Sequence, residues 1–316
     1  MFRAVVFAYS EVGVRCLAAL IEHRVQVPLV VTHKDSPTEN AWFGSVADLA
    51  NKHGIEVAKP ADPNSEGFIR RVADLAPDYI FSFYYRALLS DALLACARWG
   101  ALNMHGSLLP KYRGRACVNW AILNGETETG ATLHYMVEKP DAGPIIAQEP
   151  VPIGIDDTAL IVSQAIAAAA ARLLVRTLPA LAAGPPPSRP MNLAKGSYFG
   201  GRTPEDGRID LAAPAAQIHA LIRAVAPPFP GAFIDLFSER LIFAGSHWSG
   251  EKSAHLAPCL YVEEARLYLD CSDGLRLQIS ALIRDAEPLD AQAFRRLFGD
   301  TALTLSTRTS KRILQL

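Results

Sequence analysis

No Cys-x-x-Cys pair occurs in this 316-residue chain, and its five cysteines (Cys16, Cys96, Cys117, Cys259 and Cys271) are scattered. That argues against a disulfide framework or a structural zinc site and fits a reducing cytoplasm. A run of about 18 apolar residues is also missing, so no membrane span is expected. The opening stretch from Met1 to Tyr9, interrupted by Glu11, is too short for a signal peptide. Charge of one sign is not in excess either: Lys plus Arg number 31, Asp plus Glu 32, and the net is −1. A dedicated nucleic-acid binder usually carries a basic surplus, so no nucleic-acid partner is expected. Two nucleotide-binding devices are lacking as well. The first apolar run is followed by Tyr9-Ser10-Glu11-Val12-Gly13 in place of GxGxxG, and GxxxxGK[ST] does not occur.

What is present is ordinary globular composition, half apolar and one fifth charged. The length suggests two domains, at roughly 100–200 residues each. Over the first part, short apolar runs at Ala4–Ala8, Pro28–Thr32, Tyr79–Tyr84 and Ala101–Met104 read as buried strands. Between them, Val14–Ile21, Trp42–Lys52, Glu66–Leu75 and Asp91–Ala97 read as helices. Such alternation predicts an α/β fold of Rossmann-like kind, a mostly parallel sheet with helices on both faces. Ala131–Val137 and Ile145–Ile153 read as two longer neighbouring strands, and Asp157-Thr158 as the cap of an Ala-rich helix reaching about Ala182. Gly184-Pro185-Pro186-Pro187 breaks the pattern, so we expect a catalytic domain over 1–183, a linker over 184–203 and a second domain over 204–316. In the last, Ala215–Ala224 reads as a helix and five short strand-like runs between Ala232 and Ile283 suggest a small barrel, with a helix at Asp290–Phe298.

Chemistry concentrates in Asn103-Met104-His105-Gly106-Ser107-Leu108-Leu109-Pro110-Lys111-Tyr112-Arg113-Gly114-Arg115. Asn103 and His105 are two apart, so on a strand they share a face. An amide donor beside a group that titrates near neutrality suits acyl transfer, with a base for the nucleophile's proton and a donor for an oxyanion. By spacing alone, a structural His beside a structural Asn is an equal reading. Asp141, in the turn Glu138-Lys139-Pro140-Asp141-Ala142-Gly143, is by itself more simply an ordinary turn aspartate. Lys111, Arg113 and Arg115 form a small basic cluster, either a solvated loop or a contact for substrate phosphate or folate glutamate. Tyr84-Tyr85-Arg86 could stack or bind phosphate, or simply pack, and His134 reads as structural.

Asn-x-His-x-Ser-Leu-Leu-Pro followed by an Asp-x-Gly turn resembles the 10-formyltetrahydrofolate-dependent formyltransferases. The likeness covers nearly the whole chain, including Ile209-Asp210, Arg223-Ala224-Val225 and Pro230-Gly231-Ala232-Phe233. Within that family it is closest to the branch that formylates UDP-4-amino-4-deoxy-L-arabinose in lipid A modification and polymyxin resistance. The matching segments are Val5–Tyr9, Thr32-His33-Lys34-Asp35, Phe43–Ala47, Ile80–Arg86, His105–Arg115, Asn124–Gly130 and Arg202-Thr203-Pro204. Cys117 departs from the family's usual proline, and Pro140 stands where a more flexible residue is common.

The resemblance implies an OB-like C-terminal barrel, 10-formyltetrahydrofolate as co-substrate and no metal. It implies His105 as acid/base, Asn103 as oxyanion donor and Asp141 as the group that holds His105 and favours its charged form. Ala87, Leu88, Leu89, Val137, Glu138, Lys139, Pro140 and Asp141 would frame the folate, with Arg115 nearby. Tyr9, Lys111 and Arg202 are candidates for the sugar nucleotide. The expected partners are small molecules in the cytoplasm, with the pathway's dehydrogenase/decarboxylase on a separate polypeptide. Methionyl-tRNA formylation is the alternative. It would need a basic groove, yet the loop from His33 to Ser45 sets Lys34 against Asp35 and Glu39. A non-catalytic nucleotide-sugar or folate-binding module would have no need of an acid/base trio.

Overall fold

The computed structural model describes residues 2–34, 42–236 and 239–305, which form two compact units. Among the described residues, the first comprises 2–34, 42–121, 128–153 and 161–201; the second comprises 122–127, 154–160, 202–236 and 239–305. Asp35, Glu39 and the tail at Lys311-Arg312 lie outside the described residues.

In the first unit β1 (Arg3–Ala8), α1 (Ser10–Glu22), β2 (Gln26–Val31), α2 (Val46–Lys52), β3 (Glu56–Ala58), α3 (Glu66–Asp74), β4 (Tyr79–Phe83), α4 (Asp91–Leu94) and β5 (Gly100–His105) alternate strictly. They are followed by β6 (Arg113–Gly114), α5 (Cys117–Leu123), β7 (Glu128–Tyr135), β8 (Ile145–Pro152), α6 (Ala159–Ala183) and β9 (Tyr198–Phe199). The main sheet has the order β3-β2-β1-β4-β5-β7-β8. The first five strands are parallel, and β7 and β8 add antiparallel. The parallel strands are apolar because both their faces are covered: Phe7, Leu29, Val31, Ile80 and Leu93 pack into one buried cluster. The expected helix at Trp42–Lys52 begins later, at Val46, because Ser45 caps it by accepting from the Asp48 amide. β3, β6 and β9 are too short to leave a periodic signal. By length and composition α6 could cross a membrane, but Ile166, Leu173, Leu174 and Leu181 are fully buried in the protein.

In the second unit, α7 (Ala215–Val225) precedes β10 (Ala232–Leu236), β11 (Glu239–Lys252), β12 (Cys259–Glu263), β13 (Arg266–Asp270), β14 (Leu275–Arg284), β15 (Glu287–Pro288), α8 (Ala291–Phe298) and β16 (Leu303–Thr304). The strands form one antiparallel sheet, order β10-β11-β14-β13-β12-β16, curled into a half-barrel. β11 runs well past the expected Arg240–Ala244. It continues through two register shifts near Gly245 that let it stay paired with β14 as it curves.

Candidate active site

β5 ends at His105, where the chain leaves the carboxyl end of the parallel sheet. The antiparallel neighbour β7 sets Asn103 opposite His134 and His105 opposite Thr132. Directly opposed residues share a face and touch. Asn103 Nδ2 accordingly lies 3.1 Å from His134 Nε2. The turn after β7 brings in Asp141, held in the left-handed region at φ 51°. A non-glycine residue there is uncommon, though Asp tolerates it better than most. Its Oδ2 accepts from the Gly114 amide at 2.9 Å. Its Oδ1 faces Asn103 Nδ2 at 3.4 Å, His105 Nδ1 at 3.6 Å and His134 Nε2 at 3.8 Å.

Ring protonation follows from the partners. His105 Nε2 lies 2.8 Å from the Tyr112 carbonyl, which can only accept, so Nε2 carries the hydrogen. Nδ1, toward Asp141, is left as the position that can take or give a proton. His134 is fixed the same way: Nδ1 donates to the Tyr135 carbonyl at 2.8 Å, leaving Nε2 as an acceptor for Asn103. Burial pulls the His134 pKa down to about 4, against the opposing pull of Asp141 and the Tyr135 carbonyl. His134 is therefore neutral near pH 7. It orients the Asn103 amide by accepting one of its two hydrogens, and the other faces Asp141 Oδ1 across a long 3.4 Å contact. Sequence reasoning missed this because strand position alone does not reveal a cross-strand partner.

The loop after β5 is locked from below. Thr132 Oγ1 donates to the Ser107 carbonyl at 2.6 Å, Gln148 Nε2 donates to the Leu109 carbonyl at 2.9 Å, and Ser107 Oγ donates to the Lys111 carbonyl at 2.6 Å. A Cβ on Gly106 would overlap the Tyr84 hydroxyl, which explains glycine beside His105. Burial pushes that hydroxyl well above its ordinary pKa and the neighbouring Cys117 thiol up to about 12, so both stay protonated.

The structure thus joins Asn103, His105 and Asp141, and adds His134. The other sequence-expected residues lie as follows. In the 87–89 segment the Leu88 carbonyl accepts from Asn64 and the residue is 73% exposed, while Leu89 packs on the apolar core. Ala87 is half-buried, Val137, Glu138 and Lys139 are exposed, and Pro140 leads directly into Asp141. Arg115 is exposed, with its amide on the Phe199 carbonyl, and Lys111 is exposed. Tyr9 is buried, with the Arg86 guanidinium 4.5 Å above its ring and His33 and Phe43 at its edges. Tyr85 stacks on His33 with ring centres 4.1 Å apart. Arg202 belongs to the second unit, where it donates to the Asp206 carbonyl at 2.7 Å.

Comparison with known proteins matches residues 3–178 to the formyl transferase family model and 202–298 to the formyl transferase C-terminal domain. Among solved structures, the N-formyltransferase of Helicobacter canadensis, in complex with folinic acid and dTDP-3-aminofucose, superposes with a TM-score of 0.69 at 21% identity. That match covers 88% of this chain and 99% of the other. A sugar 3N-formyl transferase with dTDP and 5-N-formyl-THF gives 0.67 at 19% identity, over 91% and 99% of the two chains. A sugar N-formyltransferase from a Shewanella species gives 0.59 at 20% identity, over 74% and 92%.

Proposed function

The chain belongs to the formyl transferase family and is a formyl-transferring enzyme; from that premise we propose that it moves formyl from 10-formyltetrahydrofolate to the amine of a nucleotide-linked amino sugar. The observation that carries this reading is the convergence of Asn103, His105 and Asp141 at the end of β5. The acceptor we assign is UDP-4-amino-4-deoxy-L-arabinose, on the segments between Val5 and Pro204 that resemble that branch of the family. The likeness in fold to sugar N-formyltransferases supports a nucleotide-sugar class. We place the enzyme in the cytoplasm, acting in lipid A modification.

The chemistry follows from the groups. A neutral amine nitrogen attacks the formyl carbon, a C–N bond forms, and the carbonyl pair moves onto oxygen. The Asn103 N–H whose contact with Asp141 is long, 3.4 Å, turns to meet that oxyanion; a preorganised donor of this kind typically contributes a factor of about 10²–10³ in rate. His105 Nδ1 takes the proton that the amine sheds and returns it to the folate N10 as the carbon–N10 bond breaks. Asp141 faces that ring nitrogen and balances the charge it gains. The products are the formamide of the sugar and tetrahydrofolate, and no step calls for a metal.

A side-by-side assay with UDP-4-amino-4-deoxy-L-arabinose and methionyl-tRNA at physiological salt tests the acceptor. We expect transfer to the sugar and little to the tRNA. Faster formylation of the tRNA overturns the reading, and activity only on another nucleotide-linked amino sugar replaces the sugar.

A further inference from the structure

Arg113 occupies an unusual position. It stands between Tyr112, whose carbonyl takes the His105 hydrogen, and Gly114, whose amide holds Asp141. The residue is 8% exposed, and Nε and Nη1 are enclosed with no hydrogen-bond partner among the described residues. The guanidinium lies 5.9 Å from the Tyr198 ring, at the outer limit of a cation–π contact. A guanidinium keeps its charge at working pH, and burying it without acceptors costs several kcal/mol. The other buried arginine among the described residues, Arg223, also has an unpartnered Nε, but its Nη1 donates to the Asp157 carbonyl at 2.8 Å and to that of Gly154 at 3.3 Å. The loop's other cations, Lys111 and Arg115, are exposed, so solvent meets their cost.

A cation left uncompensated on a loop whose neighbours hold His105 and Asp141 needs an anion that arrives with the substrate. We propose that Arg113 is a binding site for a substrate oxyanion, supplied by the diphosphate of the acceptor or by the glutamate carboxylate of the folate. The inference rests on the formyl-transfer reading for the identity of those two anions. Both have several oxygens, matching a planar group with two nitrogens that lack an acceptor. Lys111 and Arg115 would then serve only as exposed charge around it.

Arg113→Met removes the charge and keeps an unbranched apolar stem; Arg113→Lys keeps the charge. Thermal unfolding without ligand comes first. An uncompensated buried cation predicts that Arg113→Met melts at or above the wild-type temperature, whereas a merely structural arginine predicts a lower one. Binding of UDP, of tetrahydrofolate and of its pteroate analogue lacking glutamate is then measured by calorimetry, alongside KM and kcat. We expect Arg113→Met to weaken one ligand about 10–100-fold, the scale of a charge-assisted hydrogen bond, and to raise the matching KM far more than it lowers kcat. Arg113→Lys should recover part of the loss. Weakened UDP binding assigns the diphosphate. Weakened tetrahydrofolate binding that disappears with the pteroate analogue assigns the glutamate. A lowered melting temperature with all affinities unchanged, or no change in any readout, overturns the proposal. If the wild type formylates no nucleotide-linked amino sugar, the functional reading fails separately, and the binding comparison still decides the role of Arg113.

Discussion

His134→Leu removes a buried imidazole whose pKa is about 4 in the folded protein and about 6.5 when unfolded. Its side chain is 2% exposed, so solvent screening does little to reduce the effect. In the window between those values the unfolded chain binds a proton that the folded one refuses. Stability must therefore fall as pH drops from about 6.5 toward 4 and be fully present above it. Linkage gives a loss of about 2 kcal/mol at pH 5 relative to pH 7.5 from this one group. Urea unfolding of wild type and variant at the two pH values isolates it, because the second depressed histidine, His219, titrates in both proteins. The wild type should lose about 2 kcal/mol more than His134→Leu over this interval. Turnover of the variant should also fall about tenfold, because Asn103 loses the acceptor that orients it. Equal pH dependence in the two proteins would refute a neutral His134, and undiminished turnover would refute its hold on Asn103.

His105→Ala and Asn103→Ala should each lower turnover by at least about two orders of magnitude; retention of more than a tenth of wild-type turnover in His105→Ala would end the assignment. Both should leave the melting temperature near that of wild type. Asp141→Asn keeps the shape but loses the carboxylate that meets the Gly114 amide and faces His105, so kcat should drop about tenfold or more with little change in KM. An unchanged kcat would make Asp141 a turn residue only. Gly106→Ala would drive a methyl into the Tyr84 hydroxyl and should destabilise the protein by about 1–3 kcal/mol, measured by denaturant unfolding. A neutral effect would mean that the loop yields.

Much of this architecture was legible in the sequence because it rests on periodicity. The apolar runs of β1, β2, β4 and β5 announce a covered parallel sheet. Asn103 and His105 were legible for the same reason, since residues two apart on a strand share a face. The other half of the site was not, because it depends on pairing across the sheet. Nothing local to His134 says that it opposes Asn103, and nothing local to Asp141 says that its turn folds back to the Gly114 amide. Family resemblance supplied Asp141 but offered no geometric reason for it. Arg113 shows the same limit from the other side. The sequence grouped it with Lys111 and Arg115, and only burial separates one enclosed cation from two solvated ones.

The most direct test of the central claim follows a labelled formyl group. Formyl-¹³C-labelled 10-formyltetrahydrofolate is mixed with UDP-4-amino-4-deoxy-L-arabinose and excess enzyme, and the carbon is tracked by NMR through a single turnover. The account predicts that the label leaves the folate and appears as a formamide on the sugar with the wild type, and stays on the folate with His105→Ala. Release of the label as formate by the wild type, or equal transfer by His105→Ala, would contradict it.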